Sequence, residues 1–334
     1  MSGLVSIVIP VRNEHENIGP CLDGLERGLP GVDTEILICH DSDDDTTLAA
    51  IEALPRKPLA LRYVKNSLGP GPSCAMRAGF HAARGDAIVV TMADLSDPPP
   101  AIAVMAQKIR GGADIVSGSR YMAGGRQIGG PPVKTLLSRM AGLSLYYLAG
   151  VGTHDATTSF RGFSPRLLRE VELESQTGFT LGLEATVKAH LGGYAVDEVP
   201  VTWTDRTAGQ SNFRVAKWLG AYLRFYFLAM RWPLVVWALW SALGLASLFG
   251  AVRAPIVLFA PVASLVVIVA ARRARGRMSP LDALIPLGWS SFVFAAGRAQ
   301  APLGFIIAAI ASAACLGVAS TARKRRRVAA PSTP

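Results

Sequence analysis

Two short acidic stretches hold the residues best suited to chemistry in this chain. In Met92-Ala93-Asp94-Leu95-Ser96-Asp97 two carboxylates stand three residues apart, just after the apolar run Ala87-Ile88-Val89-Val90 and just before three prolines. Carboxylate oxygens at that spacing suit a hard divalent cation. The second stretch, His40-Asp41-Ser42-Asp43-Asp44-Asp45-Thr46, follows the apolar run 35–39. Aspartate is also a good helix N-cap, so either stretch alone reads equally well as a polar cap. Two in succession favour a ligand site, because ligands of open α/β sheets sit past the carboxyl ends of the strands. Arg120, Arg126, Arg139, Arg161 and Arg206 fall in polar segments further on. As a set they suit phosphate, which guanidinium grips at two points.

The elements that must carry these residues alternate. Apolar β-type runs at 4–10, 35–39, 59–64, 87–90 and 114–118 alternate with helical spacing at 17–29, 46–54, 74–83 and 102–110. That alternation predicts a doubly wound α/β domain. A Gly/Pro loop at 68–74 feeds one of the helices. Beyond Gly118 the pattern loosens. A mobile loop is expected at 119–132, a helix at 133–148, a polar stretch at 153–161, a helix at 179–191, a strand at 195–203 and a second polar loop at 205–212.

Charge divides the chain. Residues 1–205 carry 18 basic and 23 acidic groups, whereas 206–334 carry 16 basic groups and one acidic group, Asp282. The basic excess lies beside long apolar runs, which places it at a membrane surface rather than on nucleic acid. At the helical step of about 100° per residue, Arg214, Lys217, Arg224 and Arg231 share one arc of the segment 213–232. Trp218, Leu219, Tyr222, Leu223, Tyr226 and Met230 occupy the other side, the pattern of a helix lying among lipid headgroups. Four apolar runs follow, at 233–252, 254–271, 280–297 and 301–320. Each is about long enough to cross ~30 Å of hydrocarbon. The basic loop 272–277 and the basic tail 323–327 then face the cytosol under the positive-inside rule, together with the N-terminal domain. The N-terminus has no basic lead-in to an apolar stretch, so no signal peptide is expected. The four cysteines show no paired or metal-ligand spacing and read as reduced core residues.

Taken in order, several segments resemble family 2 glycosyltransferases of the GT-A fold, in the branch typified by dolichol-phosphate mannose synthase. Ile7 to Glu14 resembles the opening IVIPxxNE, and Asp41 with Asp45 and Thr46 the second acidic strand end. Gly69 to Gly79 resembles the Gly-rich segment, and Ala93 to Pro98 the motif DADLxxxP. Gly118 to Tyr121 resembles GSRY, Asp155 with Ser159-Phe160-Arg161 the next motif, and Asp205-Arg206 with Gly209 and Ser211 the last. Met92 stands where the family carries its first metal-site Asp, Ser96 where a Gln is frequent, Arg12 where an aromatic is usual, and His40 where Asp is common. No Gln-x-x-Arg-Trp occurs, which separates the chain from the processive branch.

The resemblance implies a GT-A domain over 1–212, an interfacial helix over 213–232, a transmembrane region over 233–322 and a cytosolic tail over 323–334. It also implies sugar transfer, with inversion, from a nucleotide-diphosphate sugar (GDP-mannose or a UDP-hexose) to a polyprenyl phosphate in the inner membrane. Asp94, Asp155, Arg120 and Arg206 are implied in catalysis. Pro10, Asn13, Glu14, Asp41, Gly71, Ala93 and Asp94 are implied in holding the donor. Arg139, Ser159 and Arg161 are implied at the lipid phosphate, and Asp94 and Asp97 at Mg²⁺ or Mn²⁺. Asp155 is expected only to orient the acceptor, whose phosphate is already anionic with a second pKa of about 6. The alternative for Asp97 is to cap the helix that follows it instead of binding the metal. The alternatives are a membrane-tethered binding module that has lost turnover with Met92, and a transferase acting on a soluble acceptor.

Overall fold

A computed structural model describes residues 3–55, 60–176, 178–205 and 218–231. The chain divides into two compact units, Met1–Leu143 with Val151–Phe227, and Ser144–Gly150 with Leu228–Pro334. In the second unit the described residues are Ser144, then Leu145–Ala149, a short π-helical turn closed by Gly150 in the left-handed region (φ 84°), and the helical residues 228–231. Among the described residues no helix is long and apolar enough to cross a membrane. The apolar runs read as spans at 233–252, 254–271, 280–297 and 301–320, and the tail, lie outside the described residues.

The first unit opens with β1 (Val5–Pro10), α1 (Ile18–Gly28), β2 (Thr34–His40), α2 (Thr46–Glu52) and β3 (Leu61–Lys65). It continues through α3 (Pro72–Ala82), β4 (Ala87–Val90), α4 (Pro100–Arg110) and β5 (Ile115–Ser119). These are the alternating elements expected from the sequence. β1, β2 and β4 are largely apolar on both faces because helices cover both faces, as in parallel sheets generally, whereas the edge strand β3 carries Arg62, Lys65 and an exposed Tyr63. Ile7 and Ile9 of β1 pack with Ile18, Leu22 and Ile102 on one side. Val8 packs with Leu37, Cys39 and Val90 on the other. Here α3 comes so close that a Cβ on Gly79 would lie 2.4 Å from Val8 Cγ1, which is why the helix carries glycine at that point.

The sheet is mixed. Its order is β3-β2-β1-β4-β7-β5-β8, with β7 (Arg161–Phe163) antiparallel between β4 and β5 and β8 (Val196–Pro200) parallel at the edge. Successive strands first run outward from β1 to β3 and then restart beside β1 at β4. The β1/β4 boundary is therefore the topological switch point where open α/β sheets bind ligands.

The second half departs from the expected elements. The stretch read as a loop at 119–132 contains β6 (Arg126–Ile128), and the strand read at 195–203 breaks after Pro200. Its remainder, β9 (Thr202–Thr204), pairs with β6 in a separate two-stranded sheet. The helix read at 133–148 is α5 (Pro132–Ser144) followed by the π turn. Then come β7, α6 (Pro165–Glu170) and α7 (Leu181–Gly192). Residues 218–231 are helical and are called α8 here.

Candidate active site

Three strands end side by side at the switch point. The turn after β1 is laced to the turn after β2: Asn13 N–H donates to Asp45 Oδ1 at 2.9 Å, and Glu14 N–H to Thr47 Oγ1 at 2.9 Å. Asp45 is also the N-cap of α2, accepting from Thr47 N–H, so the cap reading holds for this residue. Asn13 pays for the tight turn with a left-handed φ of 57°, and asparagine tolerates that region better than most residues. Asn17 Nδ2 donates to Glu14 Oε2 at 2.7 Å and orients that carboxylate.

Asp41 organises the Gly-rich loop. Its Oδ1 accepts from Asn66 Nδ2 at 2.7 Å and its Oδ2 from Gly71 N–H at 2.8 Å. Gly71 sits at the N-terminus of α3 with φ 110°, a conformation closed to ordinary side chains. Asp41 therefore shapes the loop that was read as donor-binding, and both of its oxygens already accept from it.

The acidic turn after β4 is buried and strained. Ala93, Asp94, Ser96 and Asp97 are buried, whereas Leu95 is 38% exposed and holds φ 61°. Asp94 Oδ1 accepts from Ser96 N–H at 3.2 Å. Asp97 does not cap α4, whose N-cap position is Pro99 with no side-chain cap. Instead it lies buried beside Asp94, with Thr91 Oγ1 3.4 Å from its Oδ2. Burial, and then the charge of Asp94, push the Asp97 carboxyl up to about 7; the Met92 N–H, Arg120 and Thr91 work in the other direction. Two carboxylates repelling each other in a dry turn form a donor set that a divalent cation would relieve. Position 92 takes part through its main chain, since its N–H faces Asp97 and its carbonyl accepts from Cys21 Sγ at 3.9 Å. Among the described residues no group of three or more His, Cys, Asp or Glu is placed to hold a metal. Any ion here would draw its remaining ligands from substrate and water, as Mg²⁺ commonly does.

A second cluster flanks this turn. Asp155 is fully buried, and Arg120 meets both of its oxygens, Nε to Oδ2 at 2.7 Å and Nη2 to Oδ1 at 3.0 Å. The Arg120 and Thr157 pair closes around the same carboxylate, with Arg120 N–H on Oδ2 at 3.2 Å and Thr157 Oγ1 on Oδ1 at 3.1 Å. Burial alone would lower the Arg120 pKa, but Asp155 outweighs it and holds the guanidinium charged. Arg120 also lies 4.8 Å from the Tyr121 ring centroid and 5.8 Å from that of Trp203. Ser138 of α5 joins this cluster, 2.7 Å from Thr157 Oγ1, 2.9 Å from Tyr121 OH and 3.1 Å from Arg120 Nη2. Gly142 lets α5 lie against the loop: a Cβ there would be 2.2 Å from His154 O. The opposite face of α5 is bare, with Val133, Leu136, Leu137 and Met140 each at least half exposed.

The site residues read from sequence thus separate. Pro10, Asn13, Glu14, Asp41, Gly71, Ala93, Asp94 and Asp97 border the switch-point turns, and Arg120 pairs with Asp155. Arg139 is exposed on α5 and Ser159 is half-buried. Arg161 does not suit contact with a lipid phosphate. It is completely buried in β7, donating from Nη1 to Gly182 O and from Nη2 to Asp155 O at 3.2 Å. Arg206 lies outside the described residues. Arg224, read as facing lipid headgroups, pairs with Glu174 at 2.8 Å. The apolar side of α8 is also divided. Trp218 stacks edge-on with Phe179 at 5.8 Å and Tyr222 OH donates to Phe179 O, while Leu219 and Leu223 stay exposed. Sequence reasoning missed Thr157, Ser138 and Trp203. The density of hydroxyl residues in 153–159 was the available signal for Thr157.

A model of the family described as glycosyl transferase family 2 matches residues 6–172. The chain is 32% identical over 233 residues to the dolichol-phosphate mannosyltransferase of Pyrococcus furiosus, covering 68% of this chain and 64% of that one. It thus spans somewhat less than two thirds of that relative's length. It is 30% identical over 228 residues to the polyprenol monophosphomannose synthase of Mycolicibacterium smegmatis, covering 64% of this chain and 85% of that one. The glucosyl-3-phosphoglycerate synthase of Mycobacterium tuberculosis, solved with Mn²⁺, UDP and glucosyl-3-phosphoglycerate, superposes with a TM-score of 0.50 at 18% identity. That superposition covers 68% of this chain and 80% of that one, and at such identity the likeness shows the GT-A fold alone.

Proposed function

This chain belongs to glycosyltransferase family 2, and we propose that it transfers a hexose, with inversion, from a nucleotide-diphosphate sugar to a polyprenyl phosphate at a membrane surface. The two faces of α5 carry this proposal. Ser138 on one face bonds into the Arg120–Asp155 cluster, and Val133, Leu136, Leu137 and Met140 on the other are bare. A helix so built brings an apolar acceptor chain beside a polar centre. Relatives named as dolichol- and polyprenol-phosphate mannose enzymes support the same acceptor class. A soluble acceptor gives that apolar stripe no purpose.

The residues divide the work. Asn13, Glu14, Asp41 and the Gly71 loop hold the nucleotide at the switch point. Asp94, with Asp97 beside it, would hold Mg²⁺ or Mn²⁺; the paired buried carboxylates fit such an ion, and Mn²⁺ accompanies UDP in the fold relative. The ion, when bound, neutralises charge on the departing diphosphate. Arg120, fixed by Asp155, supplies further positive charge, and Arg206 is assigned to the same task. The acceptor phosphate is itself the nucleophile and is anionic near neutral pH, so no side chain need remove a proton. Attack from the face opposite the leaving group inverts the anomeric centre. Arg139 and Ser159 are assigned to the lipid phosphate.

The rest of the chain is proposed to complete the membrane setting. Residues 213–232 lie at the headgroups, and four spans within 233–322 return the basic tail to the cytosolic side, where the catalytic unit also sits. Incubating the full chain in detergent or vesicles with polyprenyl phosphate and a panel of labelled nucleotide sugars tests the activity. The expected product is one labelled polyprenyl-phosphate sugar, formed only with Mg²⁺ or Mn²⁺. Donor binding without any transfer overturns the proposal in favour of a binding module.

A further inference from the structure

Segment 178–182 ties together three parts of the first unit that the functional reading leaves unconnected. Gly178 O accepts from Ser73 Oγ at 2.7 Å, in the first turn of α3. Phe179 O accepts from Tyr222 OH at 3.1 Å. Gly182 O accepts from Arg161, whose other hand donates to Asp155 O. The contact with α8 is close enough to dictate the sequence. Gly178 has φ 62°, and a Cβ there would lie 2.5 Å from Trp218 Cδ2.

Arg161 is the unusual member. It is completely buried, its hydrogen bonds run to main-chain carbonyls, and its Nε has no partner among the described residues. Burial pulls its pKa down to about 10, so the guanidinium remains charged at neutral pH. Burying a charge is costly unless it is paired and fully hydrogen-bonded, and Arg161 meets carbonyls with its Nε left over. What it does there is bridge two carbonyls 27 positions apart, those of Asp155 and Gly182. The Tyr222 phenol lies near enough for the charges of both Arg161 and Arg120 to act on it.

We propose that Tyr222 is a positioning residue: by fixing the main chain of 178–182 it sets Arg161, and through Arg161 the main chain that presents Asp155 to Arg120. The seating of α8 is thereby coupled to the geometry of the Arg120–Asp155 pair. Coupling of this kind is reciprocal, so a lipid surface that favours the seated helix also favours the paired site. The inference rests on the transfer activity proposed above for its kinetic arm, but not for its structural one.

Tyr222→Phe keeps the ring and removes only the hydroxyl. In the full chain with polyprenyl phosphate, its kcat should fall about three- to tenfold, the loss expected for one positioning hydrogen bond. The donor KM, the thermal midpoint and the tryptophan emission should stay at wild-type values, because α8 remains docked. Amide hydrogen exchange across 153–158 should quicken. Tyr63→Phe serves as the control, because it removes the hydroxyl of a 41%-exposed tyrosine that bonds Glu52 on the opposite edge of the sheet; it should change none of these. Wild-type kcat and exchange in Tyr222→Phe overturn the inference, as does a parallel loss of kcat, donor binding and thermal stability. If the wild type transfers nothing to polyprenyl phosphate, the lipid-acceptor proposal fails. The exchange measurement then decides this inference alone: quickened exchange sustains it, unchanged exchange overturns it.

Discussion

Arg120 holds Asp155 at two points, Nε to Oδ2 at 2.7 Å and Nη2 to Oδ1 at 3.0 Å, with the carboxylate fully buried. Thr157 and the Arg120 main chain occupy the same two oxygens. An aspartate so engaged has no lone pair to spare for removing a proton from an acceptor. It is placed to aim a permanent positive charge, which suits the proposed reaction, whose nucleophile arrives already ionised and whose difficulty lies in the leaving group.

Separating this pair should therefore cost both rate and stability. In Asp155→Asn the charge of Arg120 loses its buried partner, and breaking such a pair typically costs about 3–5 kcal/mol. Urea midpoints should fall accordingly, and transfer should drop by about two orders of magnitude or more. Arg120→Gln combined with Asp155→Asn should lose much less stability than the two single losses added together, since neither charge is left alone. Additive losses in the double variant would show that the two groups act separately.

The metal-free protein should carry the mark of Asp97. Its carboxyl is raised from the ordinary aspartate value to about 7 in the folded chain, first by burial and then by Asp94. A carboxyl raised on folding contributes stability that is complete below its unfolded pKa and lost as pH climbs through the folded one. Thermal midpoints measured with a chelator should thus fall between about pH 4 and pH 7 through this group. Asp97→Asn should flatten that fall. Added Mg²⁺ or Mn²⁺ should restore stability to the wild type at pH 7 and do little for Asp97→Asn. In transfer assays Asp94→Asn should abolish activity and Met92→Ala should retain it, because position 92 acts through its main chain. A chelated wild type that is equally stable across that range would remove the argument for two coupled carboxylates.

The first half of the fold was legible because its strands are continuous apolar runs. Val5–Pro10, Thr34–His40 and Ala87–Val90 could hardly be anything else, and their acidic ends point to a ligand site, whereas the strand order that makes it a switch point comes from the sheet. The strand Arg161–Phe163 was invisible for the opposite reason. Three residues led by an arginine and a glycine show no period, and only the neighbours β4 and β5 make them a strand. The same cause hid the role of Arg161, since an arginine in a polar stretch looks exposed until the sheet closes over it. The Arg120–Asp155 pair spans 35 positions, and no local pattern announces such a partner. Asp97 looked like a cap because prolines follow it, but Pro99 holds that position and leaves the carboxylate inside.

Leu95 stores strain where the acidic turn needs it. A leucine at φ 61° costs roughly 1 kcal/mol or more relative to glycine in the same conformation. Its 38% exposure means little packing is lost on truncation. Leu95→Gly should therefore leave stability within about 1 kcal/mol of wild type, with relief of strain offsetting the entropy of the freer unfolded chain. The turn itself should loosen, and the metal concentration giving half-maximal transfer should rise several-fold. Unchanged metal dependence would separate the strain at Leu95 from the placement of Asp94.

The exposed apolar stripes should matter more to the lipid acceptor than the visible charges of α8. Arg224 pairs with Glu174, but its side chain is 67% exposed and that of Glu174 44%, so the bridge is worth about 0–1 kcal/mol in solution. Arg224→Glu breaks it and should raise the lipid KM only slightly. Leu136 on α5 and Leu223 on α8 are 58% and 39% exposed and have no core to serve at those surfaces. Burying a leucine fully is worth about 1.5–3 kcal/mol; partial insertion among acyl chains should retain about half of that. Leu136→Glu and Leu223→Glu should each raise the KM for polyprenyl phosphate in vesicles roughly five- to tenfold. The KM for the nucleotide sugar and the thermal midpoint should barely move, because neither side chain is buried in the protein. Should both variants keep the wild-type lipid KM while Arg224→Glu raises it, headgroup charge rather than apolar insertion brings the acceptor to the site.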